Sequence, residues 1–238
     1  MNVKSAFLNG DLEEEIYMTL PEGVEPPPNI PNPVCRLFRA LYGLKQASRV
    51  WNKKLDEFLI SQGFRRMNSD HAIYIYIRKS KSLTMIVIHV DDLLIAANME
   101  ILLWIKRILS EKFAMTDCGE VKNFLGIRIL RNREKSLITL DQEHFIDTIL
   151  SRFGMTECKP VRTPLDTSVQ LKKSNSEMKK GDTYYRQIIG NLMYVMIATR
   201  PDIAAAISIT SQFLENPSEE HYTAAKRILR YLKGTKGY

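Results

Sequence analysis

Two adjacent carboxylates, Asp91 and Asp92, interrupt the run Met85-Ile-Val-Ile-His-Val-Asp-Asp-Leu-Leu-Ile-Ala-Ala97, whose flanks are apolar and rich in β-branched residues. Such flanks favour strands, so the run reads as a hairpin with acids at its tip. Asp-Asp is a poor turn on conformational grounds, because two-residue hairpin turns need positive φ, which Gly and Asn supply more cheaply. Two like charges side by side also repel, and a divalent cation with a taste for hard oxygen ligands would offset that repulsion. From this stretch alone, an ordinary polar turn and a cation site are both open.

The elements that must position this tip follow from the chain on either side. Residues 2–8 are strand-like, Gly10 to Glu25 is acidic and turn-rich, and 26–33, with five prolines, reads as an extended exposed loop. Leu41 to Ile60 has helical periodicity, with Trp51, Leu55, Phe58 and Leu59 on one face and Lys45, Arg49 and Lys53 stepping along another before Gly63. Ile73, Ile75 and Ile77 alternate with Tyr74 and Tyr76 as a strand, and 78–82 is its polar turn into the central hairpin. Met99 to Phe113 reads as a helix that Asn98 caps. The order helix, strand, strand-turn-strand, helix, strand is the α+β pattern of an antiparallel sheet with helices on one face.

Beyond the hairpin, Lys122 to Lys135 is a strand pair of net charge +4, and Asp141 to Phe153 a short helix. Residues 163–182 are polar, lysine-rich and aperiodic, the best linker candidate. Helices follow. Tyr185, Ile189, Leu192 and Met196 share a face, while Thr199-Arg-Pro-Asp202 and Asn216-Pro-Ser-Glu219 read as helix starts. In the last helix, closed by Gly234, Lys226, Arg227, Arg230 and Lys233 lie opposite Tyr222, Ala225, Leu229 and Leu232.

Composition narrows the function. The chain of 238 residues has a net charge of +7, but residues 1–34 carry −5 and the remainder +12. A basic body of this kind suits a polyanion. Cys35, Cys118 and Cys158 are scattered, and so are His71, His89, His144 and His221; neither set has zinc-ligand spacing, so reduced intracellular thiols are expected. An apolar leader is lacking and the longest apolar run is cut by the acids, which points to a cytoplasmic or nuclear protein without membrane association.

Five phrases in order carry a resemblance. Asn2-Val-Lys-Ser-Ala-Phe-Leu-Asn-Gly-Asp-Leu-Glu-Glu-Glu-Ile-Tyr17, Leu41-Tyr-Gly-Leu-Lys-Gln-Ala47 with Trp51, His89-Val-Asp-Asp92, Phe124-Leu-Gly-Ile127, and the group Tyr185-Arg186, Thr199–Asp202 and Arg230-Tyr-Leu-Lys-Gly-Thr235 resemble the reverse transcriptase of copia-type long-terminal-repeat retrotransposons. The resemblance implies part of a right-hand polymerase: a palm with partial fingers over 1–160, a polar linker over 161–182, and a helical thumb or connection-like segment over 183–238. It implies polymerisation of dNTPs on an RNA or DNA template-primer with two Mg²⁺ or Mn²⁺ ions. Asp91 and Asp92 would be the metal ligands, with Phe7 beneath the incoming sugar, Gln46 on the nucleotide, and Lys45 or Arg49 on phosphate. His89 and the segment Phe124, Leu125, Gly126 and Arg128 would meet primer or template. Ribonuclease H and integrase regions belong to a full polyprotein of this type and are expected to lie outside this chain, as are the N-terminal fingers; a truncated element copy is the expectation.

Two positions depart from the pattern. The family's third metal-binding carboxylate matches residue 2, which is Asn, and His89 stands where Tyr is usual. An amide brings no negative charge; a loss of about 4 kcal/mol in transition-state stabilisation slows turnover roughly a thousandfold. The sequence therefore predicts an impaired polymerase, with a catalytically inactive nucleic-acid-binding protein or a transposon relic as the alternatives.

Overall fold

The computed structural model describes residues 1–77, 83–173 and 183–238. The chain forms two compact units, Met1–Glu120 and Val121–Tyr238. The division falls before the strand pair of 122–135, not at the expected 160, because residues 146–153 share a core with the helices that follow.

In the first unit β1 (Asn2–Val3), β4 (Arg65–Arg66), β5 (Ile73–Ile77), β6 (Leu83–His89), β7 (Asp92–Ala96) and β8 (Met115–Thr116) make an antiparallel sheet in the order β4-β5-β6-β7-β1-β8. Helices α1 (Ala47–Ser61) and α2 (Met99–Lys112) pack on it: Trp51, Leu55 and Leu59 of α1 and Ile101, Ile105 and Leu109 of α2 share a core with Tyr74, Ile86, Ile88 and Leu93. The α+β expectation holds for this unit. Asn98 caps α2 as expected, its Oδ1 accepting from the Ile101 amide at 2.9 Å.

Three local expectations fail for physical reasons. The strand at 2–8 stops after Val3, where Ser5 turns through φ 52° into a 3-10 turn over Ala6–Asn9. The acidic 10–25 stretch contains β2 (Asp11–Thr19), which pairs with β3 (Val34–Arg39) as a two-stranded ribbon. Its acids are held by bases: Asp11 by Lys54 at 2.7 Å, Glu15 by Arg36 at 3.2 Å and Glu13 by Lys53 at 3.4 Å. Helix α1 begins at Ala47, six residues later than its periodicity suggests, because Gly43 turns the preceding chain through φ 99°. The turn at 78–82 lies outside the described residues.

In the second unit β9 (Asn123–Phe124), β10 (Ile127–Asn132) and β11 (Leu137–Asp141) form a meander, followed by α3 (Glu143–Arg152), α4 (Thr183–Ala198), α5 (Ala204–Thr210) and α6 (Glu219–Gly234). The helices bury Ile146, Ile149, Tyr185, Ile188, Leu192, Ile207, Ile228 and Leu229 together. Part of the expected linker belongs to this body: Val161 and Leu165 pack on the core, and Arg227 reaches Thr163 at 3.0 Å and Asp166 at 3.5 Å. Arg230 and Lys233 of the same basic stripe donate to the Lys159 and Cys158 carbonyls at 2.7 and 2.9 Å. Residues 174–182 of the expected linker lie outside the described residues.

The two expected helix starts differ. Ser218 opens α6 with a capping box whose return partner is His221. Thr199–Asp202 makes no such box. Arg200 is the residue before the helical turn, and its guanidinium turns back onto Asp202.

Candidate functional site

The site is built where the turn between β6 and β7 meets β1. His89 pairs with Asp92 across that hairpin, leaving Val90 and Asp91 as the two turn residues. Val90 adopts φ 53°. Positive φ at the first turn position only is the type II′ pattern, in which Gly is the usual occupant. A β-branched residue there is a strained exception. Two contacts hold the turn: the Trp51 indole Nε1 donates to the Val90 carbonyl at 2.8 Å, and the Val3 amide donates to the Asp91 carbonyl at 2.7 Å. Trp51, buried on the inner face of α1 and edge-on to Phe113 at 5.2 Å, thus ties that helix to the turn.

Asn2 is the direct cross-strand partner of Asp92, and its Nδ2 donates to Asp92 Oδ1 at 2.9 Å. The register places residue 2 beside the acidic pair. Asp91 Oδ2 accepts from the Tyr42 hydroxyl at 2.8 Å, while Asp91 Oδ1 is shielded from solvent with no hydrogen-bond partner among the described residues. Burial first, and then the bond to Asp91, pushes the Tyr42 phenol above its ordinary pKa, against a smaller opposing pull from the Ala6 backbone. The Tyr42 ring also lies 4.5 Å from that of Phe7, tilted by 45°.

Of the residues singled out by sequence, the fold brings Asn2, Asp91, Asp92 and, through Tyr42, Phe7 into one cluster, with exposed His89 at the start of the turn. Lys45 and Gln46 lie in the turn before α1 rather than on it, and Arg49 is in its first turn. Lys45 and Arg49 are exposed. Tyr42 and Trp51 lie inside the quoted phrase, yet an aromatic side chain gives no hint in the sequence that it will hold a turn or a carboxylate.

Phe124, Leu125, Gly126 and Arg128 belong to the second unit. Leu125 and Gly126 both have positive φ, 51° and 76°, as in a type I′ turn joining β9 to β10. The Tyr194 hydroxyl donates to the Leu125 carbonyl, and a Cβ at Gly126 would stand 3.1 Å from the Tyr194 hydroxyl oxygen. The turn is therefore fixed and needs Gly. Arg128 is already engaged: its Nε meets both oxygens of Asp141 at 3.0 and 2.9 Å, and its Nη2 meets Glu143 at 2.6 Å. These carboxylates raise its pKa, Asp141 foremost.

The donor chemistry suits a hard divalent cation in part. Asp91 and Asp92 offer carboxylate oxygens, and the shielded, unpartnered Asp91 Oδ1 is an acceptor a cation would satisfy. The third position offers an amide whose nitrogen faces Asp92. Accordingly, no group of three or more His, Cys, Asp or Glu suited to a metal ion occurs among the described residues.

Comparison with known proteins decides what this arrangement belongs to. Residues 1–167 match the model of the family described as reverse transcriptase (RNA-dependent DNA polymerase). The chain belongs to that family. This reverse-transcriptase domain is of the copia type: it is 43% identical over its whole length to the retrovirus-related Pol polyprotein from transposon TNT 1-94 of Nicotiana tabacum, and 39% identical to that from transposon RE1 of Arabidopsis thaliana. It spans only 18% and 16% of those two polyproteins. It is 35% identical to the putative transposon Ty5-1 protein of Saccharomyces cerevisiae and spans 76% of it. No solved structure matches the reverse-transcriptase chain. No helix among the described residues is long and apolar enough to cross a membrane.

Proposed function

We propose that this chain is the palm, with part of the fingers, of an RNA-directed DNA polymerase, followed by a thumb or connection-like helical segment over 183–238, acting on an RNA or DNA template-primer and dNTPs. The observation that carries the reading is the register of β1 against β7, in which Asn2 meets Asp92 at 2.9 Å beside Asp91. Residue 2 and the adjacent pair 91–92, 90 residues away in the chain, meet at one point, as a site for paired divalent cations requires. When bound, Mg²⁺ or Mn²⁺ would stabilise the attacking and leaving oxygens of the nucleotidyl transfer. Asp91 and Asp92 would hold it.

The chain's own residues divide the remaining work. Phe7, packed against Tyr42, would set the floor under the incoming sugar and exclude a 2′-hydroxyl by collision. Lys45 and Arg49, exposed at the start of α1, would face phosphate, with Gln46 between them on the nucleotide. His89, at the mouth of the hairpin, and the fixed turn of Phe124 to Gly126 would meet the primer. Arg128 would meet primer or template only by leaving Asp141 and Glu143. Asn2 leaves the metal site one negative charge short and donates to the very carboxylate that a cation must share, so slow turnover is expected. The protein would act inside cells, in cytoplasm or nucleus, as part of a longer polyprotein.

Primer extension on a poly-ribonucleotide template with Mg²⁺ or Mn²⁺ tests the reading. Restoring the anion by Asn2→Asp raises incorporation, by up to roughly a thousandfold if the missing charge accounts for about 4 kcal/mol. No incorporation by the parent or the Asn2→Asp chain, alone or within a longer polyprotein, overturns the polymerase reading. The Asn2–Asp92 hydrogen bond favours a second reading, an inactive nucleic-acid-binding protein. That reading requires duplex affinity that falls steeply with salt, as counterion release dictates, and it fails if binding is absent or insensitive to salt.

A further inference from the structure

One side chain at the tip is held in a way that burial does not explain. Tyr42 is 55% exposed, so apolar packing alone would leave its ring free to turn. Instead the ring rests on Phe7 at 4.5 Å and the hydroxyl donates to Asp91 Oδ2 at 2.8 Å. Directly after Tyr42 the chain turns away at Gly43, with φ 99°. The bond fixes one oxygen of Asp91, which leaves the other, Oδ1, without a partner among the described residues. A carboxylate with one oxygen tethered and the other unsatisfied is oriented for a ligand. Asp92 is also tethered at one oxygen, its Oδ1 accepting from Asn2 Nδ2.

We propose that Tyr42 is a positioning residue for the cation site, its phenol setting the orientation in which Asp91 meets a divalent metal ion. The inference rests on the metal-binding reading given above and deepens it. Outer hydrogen bonds of this kind orient a metal ligand and strengthen it, and their loss typically costs about tenfold to a hundredfold in affinity. Tyr42 has a second consequence, because the ring that braces Asp91 is the ring on which Phe7 lies. A sugar pressing on Phe7 bears on the metal ligand through one shared side chain.

The test is Mn²⁺ binding followed by electron paramagnetic resonance, with melting temperature measured alongside, on the full chain, Tyr42→Phe, Asn2→Asp, the double variant, and Asp91→Asn as control. Tyr42→Phe keeps the ring on Phe7 and removes only the hydroxyl. The expected result is Mn²⁺ affinity lower by about tenfold or more, both in the parent chain and in the chain carrying Asn2→Asp, with melting unchanged. Equal affinity for Tyr42→Phe and its parent, while Asp91→Asn abolishes binding, overturns the part given to Tyr42 and leaves the metal reading standing. A weaker affinity matched by a fall in melting temperature would make Tyr42 a merely structural residue and overturns the inference too. If Asp91→Asn binds Mn²⁺ as well as the parent and the Asn2→Asp chain do, the metal reading itself falls and takes the inference with it.

Discussion

Two polar clusters, one in each unit, use the same kinds of group to opposite ends. Around Arg200 every group is satisfied. The guanidinium, 2% exposed, meets Asp202 at 2.9 and 2.7 Å and the Thr235 carbonyl and hydroxyl at 2.9 and 2.7 Å. Tyr231 adds a bond to the same carboxylate at 2.8 Å and presents its ring to the cation at 5.5 Å. Around Asp91 the cluster is incomplete: two carboxylates meet a neutral phenol and a neutral amide, no cationic side chain bonds to them among the described residues, the turn is strained at Val90, and one buried oxygen has no partner. A closed network locks a fold, whereas an open one at a strained turn is what a ligand site requires. The Arg-Pro-Asp phrase of the sequence is therefore a structural knot, and the Asp-Asp phrase, left open, is where the proposed chemistry would sit.

The sharpest way to break this comparison is to remove the cation from the closed cluster. Arg200→Met leaves the Thr235 groups without their donor and Asp202, whose side chain is 36% exposed, to Tyr231 and solvent, so the expected cost is that of the lost charged hydrogen bonds, about 1.5–3 kcal/mol. The urea midpoint of the transition reporting the second unit should fall accordingly. A loss below about 1 kcal/mol would show that the knot is not what holds the start of α5 to the end of α6. The acid limb sharpens the point. The Arg200 bond, with Tyr231 behind it, holds the Asp202 carboxyl below its ordinary value. Its contribution is thus fully present above the unfolded carboxylate pKa and lost as pH falls through the folded one, and Arg200→Met should remove that limb.

On the side of the tip, Trp51→Phe keeps an aromatic ring against Phe113 but deletes the donor to the Val90 carbonyl. The expected cost is about 1–2 kcal/mol for the hydrogen bond and the small loss of ring volume, read in the urea transition of the first unit. In the cation-site reading, the same variant lowers Mn²⁺ affinity more than the stability loss alone requires, because the turn carrying Asp91 loses its tether.

His221 adds a smaller, pH-dependent effect. It is fully buried, stacks on Phe213 at 3.9 Å, and its Nδ1 accepts from the Ser218 amide at 2.8 Å. Burial holds its pKa below the ordinary value, against opposing pulls from the Lys172 backbone and Glu220. The neutral ring is the one that fits the cap. Stability is therefore complete above the unfolded histidine pKa of about 6.5 and declines as pH falls from there through the folded value. His221→Gln retains a capping-box acceptor and should flatten the melting profile below about pH 6.5. A slope that survives the substitution would assign it to another group.

How much of this was legible in the sequence depends on whether a signal was local. Helix α2 was, since its period and its Asn98 cap agree. Strand β2 was not: Glu13, Glu14 and Glu15 are all exposed in a ribbon that packs on no core from both sides, so neither alternation nor apolarity marks it. The start of α1 was misplaced because Leu41 and Leu44 extend the apolar period into a turn, and only Gly43 marks the break. Residues 163–173 read as linker by composition, yet Leu165 packs on the core and Arg227 grips Thr163 and Asp166, contacts that arise only once α6 is in place. At the site, the acids and residue 2 were legible as motif positions. Their meeting is a matter of strand register, and the brace supplied by Tyr42 came only with the fold.

The smallest effect tests the strain itself. Val90 is 41% exposed at φ 53°, so its side chain gains little by burial while its backbone sits where L residues carry a penalty of about 1–2 kcal/mol. Val90→Gly removes that penalty but adds freedom to the unfolded chain, which offsets about 0.5–1 kcal/mol of the gain. The net expectation is a slight stabilisation, about 0.5 kcal/mol, in the first unit's urea transition. A valine here therefore costs stability and is explained by something other than folding. In the cation-site reading, relaxing the turn loosens the orientation of Asp91, so the same variant should bind Mn²⁺ less tightly while folding at least as well. Were Val90→Gly to lose stability instead, the strain would have been relieved by contacts around the turn, and the tip would resemble the closed cluster at Arg200 rather than oppose it.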